Sequence, residues 1–197
     1  NGFGSTSPIP NGDEGWGRVN MKLMLNTGVP IRYIDQSVEF MNPGNNHTIS
    51  GIVADGTKPV RVSLVWTDPP GVADPALVNN LDLTVTIGSN VYKGNRFVSG
   101  ISSTGGSADT VNNIENVFLP AGIVAGTSFS IQISAVALNG NGILGNADST
   151  DQHFSLVAYN YSDSVPSANK PFDYDGDSKT DISIFRPSNA EWWIQRS

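Results

Sequence analysis

Between Arg32 and Tyr159 the apolar residues recur at every second position or gather in short runs, each closed by Gly, Pro, Asn, Asp or Ser. A period of two sends alternate side chains to opposite faces of an extended strand, whereas a helix needs a period near 3.6. In Leu81-Asp82-Leu83-Thr84-Val85-Thr86-Ile87 the alternation is unbroken, with the four apolar residues facing one way and Asp82, Thr84 and Thr86 the other. Phe129, Ile131, Ile133, Ala135 and Ala137 repeat it against Ser128, Ser130, Gln132 and Ser134. Strands are expected over 33–41, 48–54, 60–66, 77–87, 90–93, 114–118, 128–138 and 153–159. Eight such segments with no crossover helix between them predict an all-β protein, an antiparallel jelly roll or β-sandwich.

Only one segment has helical character. Val19, Met21, Leu23, Met24 and Leu25 are apolar between Gly17 and Asn26, and Thr27-Gly28-Val29-Pro30 supplies a stop. The pattern divides the chain into 1–29, a β-sandwich over 30–160, a polar linker with two prolines over 161–171, and a last unit over 172–197. That unit opens with an acidic loop and continues as a hairpin, Ile182 to Phe185 and Glu191 to Gln195, around Pro187-Ser188-Asn189-Ala190. A lone hairpin is marginal in water, so it needs further packing or further repeats.

Charge narrows the function classes. With 18 acidic and 11 basic side chains the net charge is −7, the wrong sign for covering phosphates, so no nucleic-acid partner is expected. Without cysteine there is no disulfide framework, thiolate metal site or cysteine nucleophile, and stability must come from packing or bound ions. No run approaches the roughly 18 apolar residues of a spanning helix. Asn1-Gly2-Phe3-Gly4 lacks the start of a signal peptide, so the chain is expected to be a piece of something longer. An acidic, Asp-rich, cysteine-free composition suits a secreted or cell-surface bacterial protein stapled by calcium.

Two oxygen-rich groups are candidate cation sites. Asp173-Tyr174-Asp175-Gly176-Asp177-Ser178-Lys179-Thr180-Asp181 sets Asp173, Asp175, Asp177 and Asp181 around a tight turn. With the Lys179 carbonyl they offer the hard oxygen ligands that calcium takes six to eight of. Ile184 stands where an EF-hand would carry its bidentate Glu, so this is no EF-hand; the competing reading is a solvated acidic turn. The second group is scattered through the sandwich: Asp68, Asn80, Asp82, Asp109, Asn113 and Glu115, with Asp74, Asn79 and Asn112 nearby. Either strand ends gather some of them around calcium, or they are turn residues capping their own backbone.

Catalytic signals are sparse. His47 and His153 lie in or beside expected strands, outside any helical metal pair or nucleophile turn, and read as structural or surface residues. Gly105-Gly106 and Gly140-Asn141-Gly142 lack the lysine and helix of a phosphate loop. Trp192-Trp193 on a strand should present one ring to each face, the outer one for packing on a neighbour or stacking on a sugar. Asn46-His47-Thr48 and Asn160-Tyr161-Ser162 fit the glycan acceptor pattern.

At these residues a family resemblance emerges. Pro10-Asn11-Gly12-Asp13-Glu14-Gly15-Trp16-Gly17-Arg18-Val19-Asn20 resembles the closing segment of subtilisin-like (S8) serine peptidase domains. Leu64-Val65-Trp66-Thr67-Asp68-Pro69-Pro70, Leu77-Val78-Asn79-Asn80-Leu81-Asp82-Leu83, Asn112-Asn113-Ile114-Glu115-Asn116-Val117 and Phe154-Ser155-Leu156-Val157 resemble the jelly-roll domain appended to the KP-43-like branch, itself similar to the P-domain of proprotein convertases. The tail from Phe172 to Ile194 resembles the start of an FG-GAP/VCBS-type repeat, whose Asp-x-Asp-Gly-Asp loop binds calcium.

In that family the catalytic Asp, His and Ser all precede the Gly-Trp-Gly-Arg-Val-Asn segment, and Gly4-Ser5-Thr6-Ser7 lacks the continuation of the nucleophile motif. The resemblance therefore implies a non-catalytic portion of a secreted peptidase, with the upstream catalytic domain as partner and calcium as the bound ion. Two other readings stand beside it: an adhesion module whose exposed Trp grips surface glycan or protein, and a structural subunit that self-assembles through sheet edges.

Overall fold

The computed structural model describes residues 8–12, 15–19, 21, 28–72, 77–163, 182–186 and 191–195. They fall into two compact units, Asn1–Asp163 and Ser164–Ser197. The first holds ten strands: β1 (Ile31–Phe40), β2 (Asn46–Val53), β3 (Val60–Val65), β4 (Asn79–Ile87), β5 (Asn90–Val98), β6 (Ile101–Thr104), β7 (Ile114–Leu119), β8 (Ser128–Leu138), β9 (Gln152–Tyr159) and β10 (Tyr161–Ser162).

Two antiparallel sheets result, one ordered β1-β9-β3-β7 and the other β10-β2-β8-β4-β5-β6. The pairs β1 with β9, β2 with β8, β3 with β7 and β4 with β5 nest inside one another. With β3 against β9 and β4 against β8, this is a long ribbon folded over on itself, the connectivity of a jelly roll. The second unit is a hairpin, β11 (Ile182–Arg186) against β12 (Glu191–Gln195), in a register running from Ile182↔Gln195 to Arg186↔Glu191.

Alternation built the core. Leu81, Leu83, Val85 and Ile87 are buried as expected, and they meet Val60, Val62, Leu64, Val117, Phe154, Leu156 and Ala158 of the facing sheet. Two packed inner faces about 10 Å apart exclude water from both. Phe129, Ile131, Ile133 and Ala135 also point inward. Ala137 does not hold the pattern: a register shift opposite Asn80/Leu81 resets the phase, and Leu138 enters the core in its place.

The structure departs from the expectation at three more places. β5 runs five residues beyond Lys93 and turns through Ser99 (φ 50) and Gly100 (φ 77) into β6, which the sequence reading lacked. Two successive positive φ values belong to a type I′ hairpin turn, so the connection is tight although Ser is an uncommon first residue for it. β10 takes two residues from the stretch expected as linker, because the Tyr161 ring is buried edge-on to Phe129 at 5.1 Å. Of the helix expected at 17–26, Gly17, Arg18 and Val19 are irregular and Met21 is helical, while residues 20 and 22–26 lie outside the described residues.

Candidate functional site

The sandwich has a seam where its larger sheet comes apart. β4 and β5 pair only from Thr84↔Lys93 to Ile87↔Asn90, after which β5 bends at Gly94 and Asn95 (φ 59) toward β6. At the next position of β4 the Leu83 N–H donates to a side chain of the other sheet, Glu115 Oε2 on β7, at 2.7 Å. Only glycine fits at position 94, since a Cβ there would collide with the Glu115 carboxylate. A carboxylate from one sheet thus plugs a gap between two strands of the other.

Glu115 is fully buried, and its second oxygen, Oε1, has no hydrogen-bond partner. Burial pushes its pKa up to about 8; the Leu83 N–H opposes the rise, Asp82 and Asp109 add to it, and Lys93 counters them. Removing a carboxylate from water without a full set of donors disfavours the anion. On β4, Asn80 and Asp82 alternate with the buried Leu81 and Leu83. Asn80 Oδ1 is buried without a partner, and Asn80 Nδ2 reaches Asp82 Oδ1 only at 3.4 Å. The Asp82 pKa is also raised, by burial first, with Lys93 and Asn80 opposing and Asp109 reinforcing.

Of the six candidate residues in the sandwich, Asp82, Asp109 and Glu115 lie near enough for their charges to act on one another, and Asn80 contacts Asp82. Asp109 accepts from Asn95 Nδ2 and Asn112 Nδ2 (both 2.6 Å) and from the Val111 and Asn112 N–H groups (2.8 and 3.2 Å). Burial alone would raise its pKa, but these four donors outweigh it and the net shift is downward. Asp68 lies elsewhere, its two oxygens accepting from Val78 N (2.9 Å) and Asn79 N (2.8 Å). Asn113 donates to the Trp66 carbonyl at 2.9 Å. Both are braces of the turn-capping kind rather than free ligands. Asn80 Oδ1 and Glu115 Oε1 are each left buried without a partner, and hard oxygen donors of this kind are what calcium takes.

A second buried polar cluster serves as contrast. Asn79 Nδ2 donates to Gly140 O, Asp151 O and Gln152 Oε1 at 2.9–3.0 Å, while its Oδ1 accepts from Asn139 N and Gly140 N. Gln152 Nε2 in turn donates to Thr67 O and His153 O. Asp151, beside it, accepts from Gly142 N (2.8 Å), Ile143 N (2.9 Å) and Asn146 Nδ2. Among the described residues, Glu39, Asp148 and Asp151 bring carboxylate oxygens within 4.8 Å of one another. Their distance in sequence hid them from pattern reading. Both oxygens of the buried member are already engaged, so the group shows no vacant buried ligand.

The remaining candidates give no reaction centre. His47 and His153 are half-buried, and the His47 ring lies 6.2 Å from Phe154. His153 Nδ1 has no partner, and a small depression of about 60 Å³ beside it is lined by Gln36, Trp66, Thr67 and Ser155. The Ser155 hydroxyl donates to Asp35 at 2.9 Å rather than to an imidazole. Of the two acceptor patterns, Asn46 is exposed, whereas Asn160 is fully buried with its amide donating to Asp55 O and Lys58 O. Asp173, Asp175, Asp177, Lys179 and Asp181 lie outside the described residues, as do the side chains of Trp192 and Trp193. No protein-family model matches the chain, and no curated protein matches it.

Proposed function

We propose that this chain is a non-catalytic jelly-roll appendage of a secreted, subtilisin-like serine peptidase, and that calcium completes it at Asn80, Asp82 and Glu115. The observation that carries the calcium half is Glu115 Oε1, a carboxylate oxygen in the interior with no donor; Asn80 Oδ1 on β4 is a second buried acceptor without one. A divalent ion removes both defects by supplying positive charge and accepting the lone pairs. Since Glu115 belongs to β7 and Asn80 and Asp82 to β4, the ion ties one sheet to the other.

The peptidase half is supported by the order of motifs given above and by the jelly-roll topology that such a resemblance implies. It also draws support from Trp16 of the segment resembling the end of a catalytic domain. That ring sits edge-on to Phe97 and Phe118 of the sandwich, 5.9 Å from each. On this reading the module stiffens and positions a catalytic domain and hydrolyses nothing itself, and the Asp173 to Asp181 loop takes a separate calcium ion.

The test is thermal or urea unfolding of the chain in calcium and in chelator, followed at the sandwich. An ion held at 100 times its dissociation constant adds about 2.7 kcal/mol to the folded state. A midpoint that does not move on chelation removes the calcium half. Retained stabilisation of a separately produced subtilisin-like domain on mixing supports the other half, and no effect on that domain counts against it.

A further inference from the structure

The outer half of β5 has no strand beside it except β6. Its rungs with β4 end at Thr84↔Lys93, and from Phe97↔Ser102 to Val98↔Ile101 it pairs with β6, the last strand of that sheet. Residues 94–104 therefore form a projecting hairpin, with Val98 and Ile101 exposed at its tip. The hairpin lies along β7, the end strand of the opposite sheet, and side chains make the joint. Asn95 Oδ1 accepts from Asn116 N at 3.0 Å, Asn95 Nδ2 donates to Ile114 O at 2.7 Å, and Ser102 Oγ accepts from Phe118 N at 2.8 Å. These three groups fall on alternate residues of β7, the ones whose backbone turns away from β3. The segment ahead of the sandwich bridges the joint. The Trp16 ring meets Phe97 of the hairpin and Phe118 of β7 edge-on, 5.9 Å from each, and those two rings are 5.5 Å apart. A Cβ added at Gly100 would come 2.7 Å from the Ile9 carbonyl oxygen, so the same segment also rests on the hairpin turn.

We propose that residues 94–104 are a flap that swings on Asn95, and that the cleft between Phe97 and Phe118 is a docking site for Trp16, whose seating clasps the flap to β7. Edge-on aromatic contacts favour the closed arrangement beyond the area they cover, and here one indole touches both sides of the joint. A backbone ladder would hold the hairpin rung by rung, whereas a few side-chain bonds and a ring cluster open as one unit. Gly15 (φ 54) and Gly17 (φ 80) are left-handed on either side of Trp16, so the ring is presented by a turn that residues with a Cβ resist. The chain ahead of the sandwich thus controls whether the β7 edge stays covered. This stands without the calcium site and without the peptidase reading.

The experiment is amide hydrogen exchange of the full 197-residue chain, read by NMR at Asn116, Val117 and Phe118. The Asn116 and Phe118 amides report the flap, and the Val117 amide, turned to β3, reports the sheet itself. Trp16→Ala is expected to speed exchange at Asn116 and Phe118 together, roughly tenfold, and to leave Val117 unchanged. Trp16→Phe, which keeps a ring in the cleft, should exchange within about threefold of the parent. Asn95→Gly suits the positive φ and removes the bond to Asn116, yet it should speed Phe118 as well. Unchanged rates in Trp16→Ala, or an equal rise at Val117, would overturn the clasp. A rise confined to Asn116 in Asn95→Gly would show independent caps and overturn the flap.

Discussion

Two buried polar groups touch β4, one at its first residue, Asn79, and one where Glu115 meets Leu83 in mid-strand, and they differ in one respect. Around Asn79 every donor and acceptor has a partner within the protein, so the cluster is complete as built. At Glu115 one carboxylate oxygen is buried with nothing to bond, and Asn80 Oδ1 on β4 is a second such acceptor. Folding tolerates the first because a satisfied network fixes loop geometry at little net cost. It bears the second at a penalty, since an orphaned buried acceptor costs about 1–3 kcal/mol and a charged one more. A cluster that is closed specifies structure, and one left open keeps acceptors that a cation could still satisfy.

Breaking the closed cluster should have the largest effect. Asn79→Ala removes the amide that links Gly140, Asp151 and Gln152 to the β4 entry and orphans several buried groups. A loss on the order of 4 kcal/mol is expected. Urea denaturation should show the same loss with calcium and with chelator, because the Asn79 amide has all its partners within the protein.

The open cluster should respond with the opposite sign. Glu115→Gln is nearly isosteric, keeps an acceptor for Leu83 N–H and removes the buried charge. In chelator at pH 8 it should stabilise the protein by roughly 2 kcal/mol while abolishing the calcium response of the sandwich. The pH dependence sharpens this. The unfolded carboxyl releases its proton near 4.5 and the folded one near 8, so between these values the folded state holds the extra proton. Stability of the ion-free protein therefore falls as pH climbs through that window and levels off above it. Glu115→Gln should flatten the fall, and an unchanged slope would show that another group causes it.

The smallest effect is expected where charge is already wet. Arg32 and Asp163 pair at 3.2 Å with their side chains 43% and 60% exposed. Asp163→Asn should shift stability by no more than about 0.5 kcal/mol, and less in high salt. A larger loss would mean that charge pairing at the strand ends matters more than either buried cluster suggests.

The sequence carried the strands better than the seam. Leu81 to Ile87 declared its inner face because apolar and polar residues alternate without interruption, and most of β8 did the same. Strand partners were not legible, since β1 meets β9 across more than a hundred residues and no local pattern records that. β6 escaped notice because Lys93-Gly94-Asn95-Arg96 breaks the alternation just before it, and that break is what opens the seam.

At the site, oxygen-bearing side chains were recognisable as a class but not by role. Asp68 and Asn113 looked like ligands and are braces, whereas Glu115 looked like one member of a polar run, Asn112-Asn113-Ile114-Glu115-Asn116. Its burial depends on Gly94 and Leu83 from a distant hairpin, information that no window around residue 115 contains.

The nested pairing has a mechanical corollary. Ile31, where the sandwich begins, sits opposite Tyr159, close to where it ends. Tension applied through the two flanking chain segments would load the β1–β9 ladder one rung after another from that end, instead of shearing all its rungs at once. Nothing behind that first rung shares the force until it parts, so the domain yields to a pull between its two ends more readily than a ladder loaded in shear.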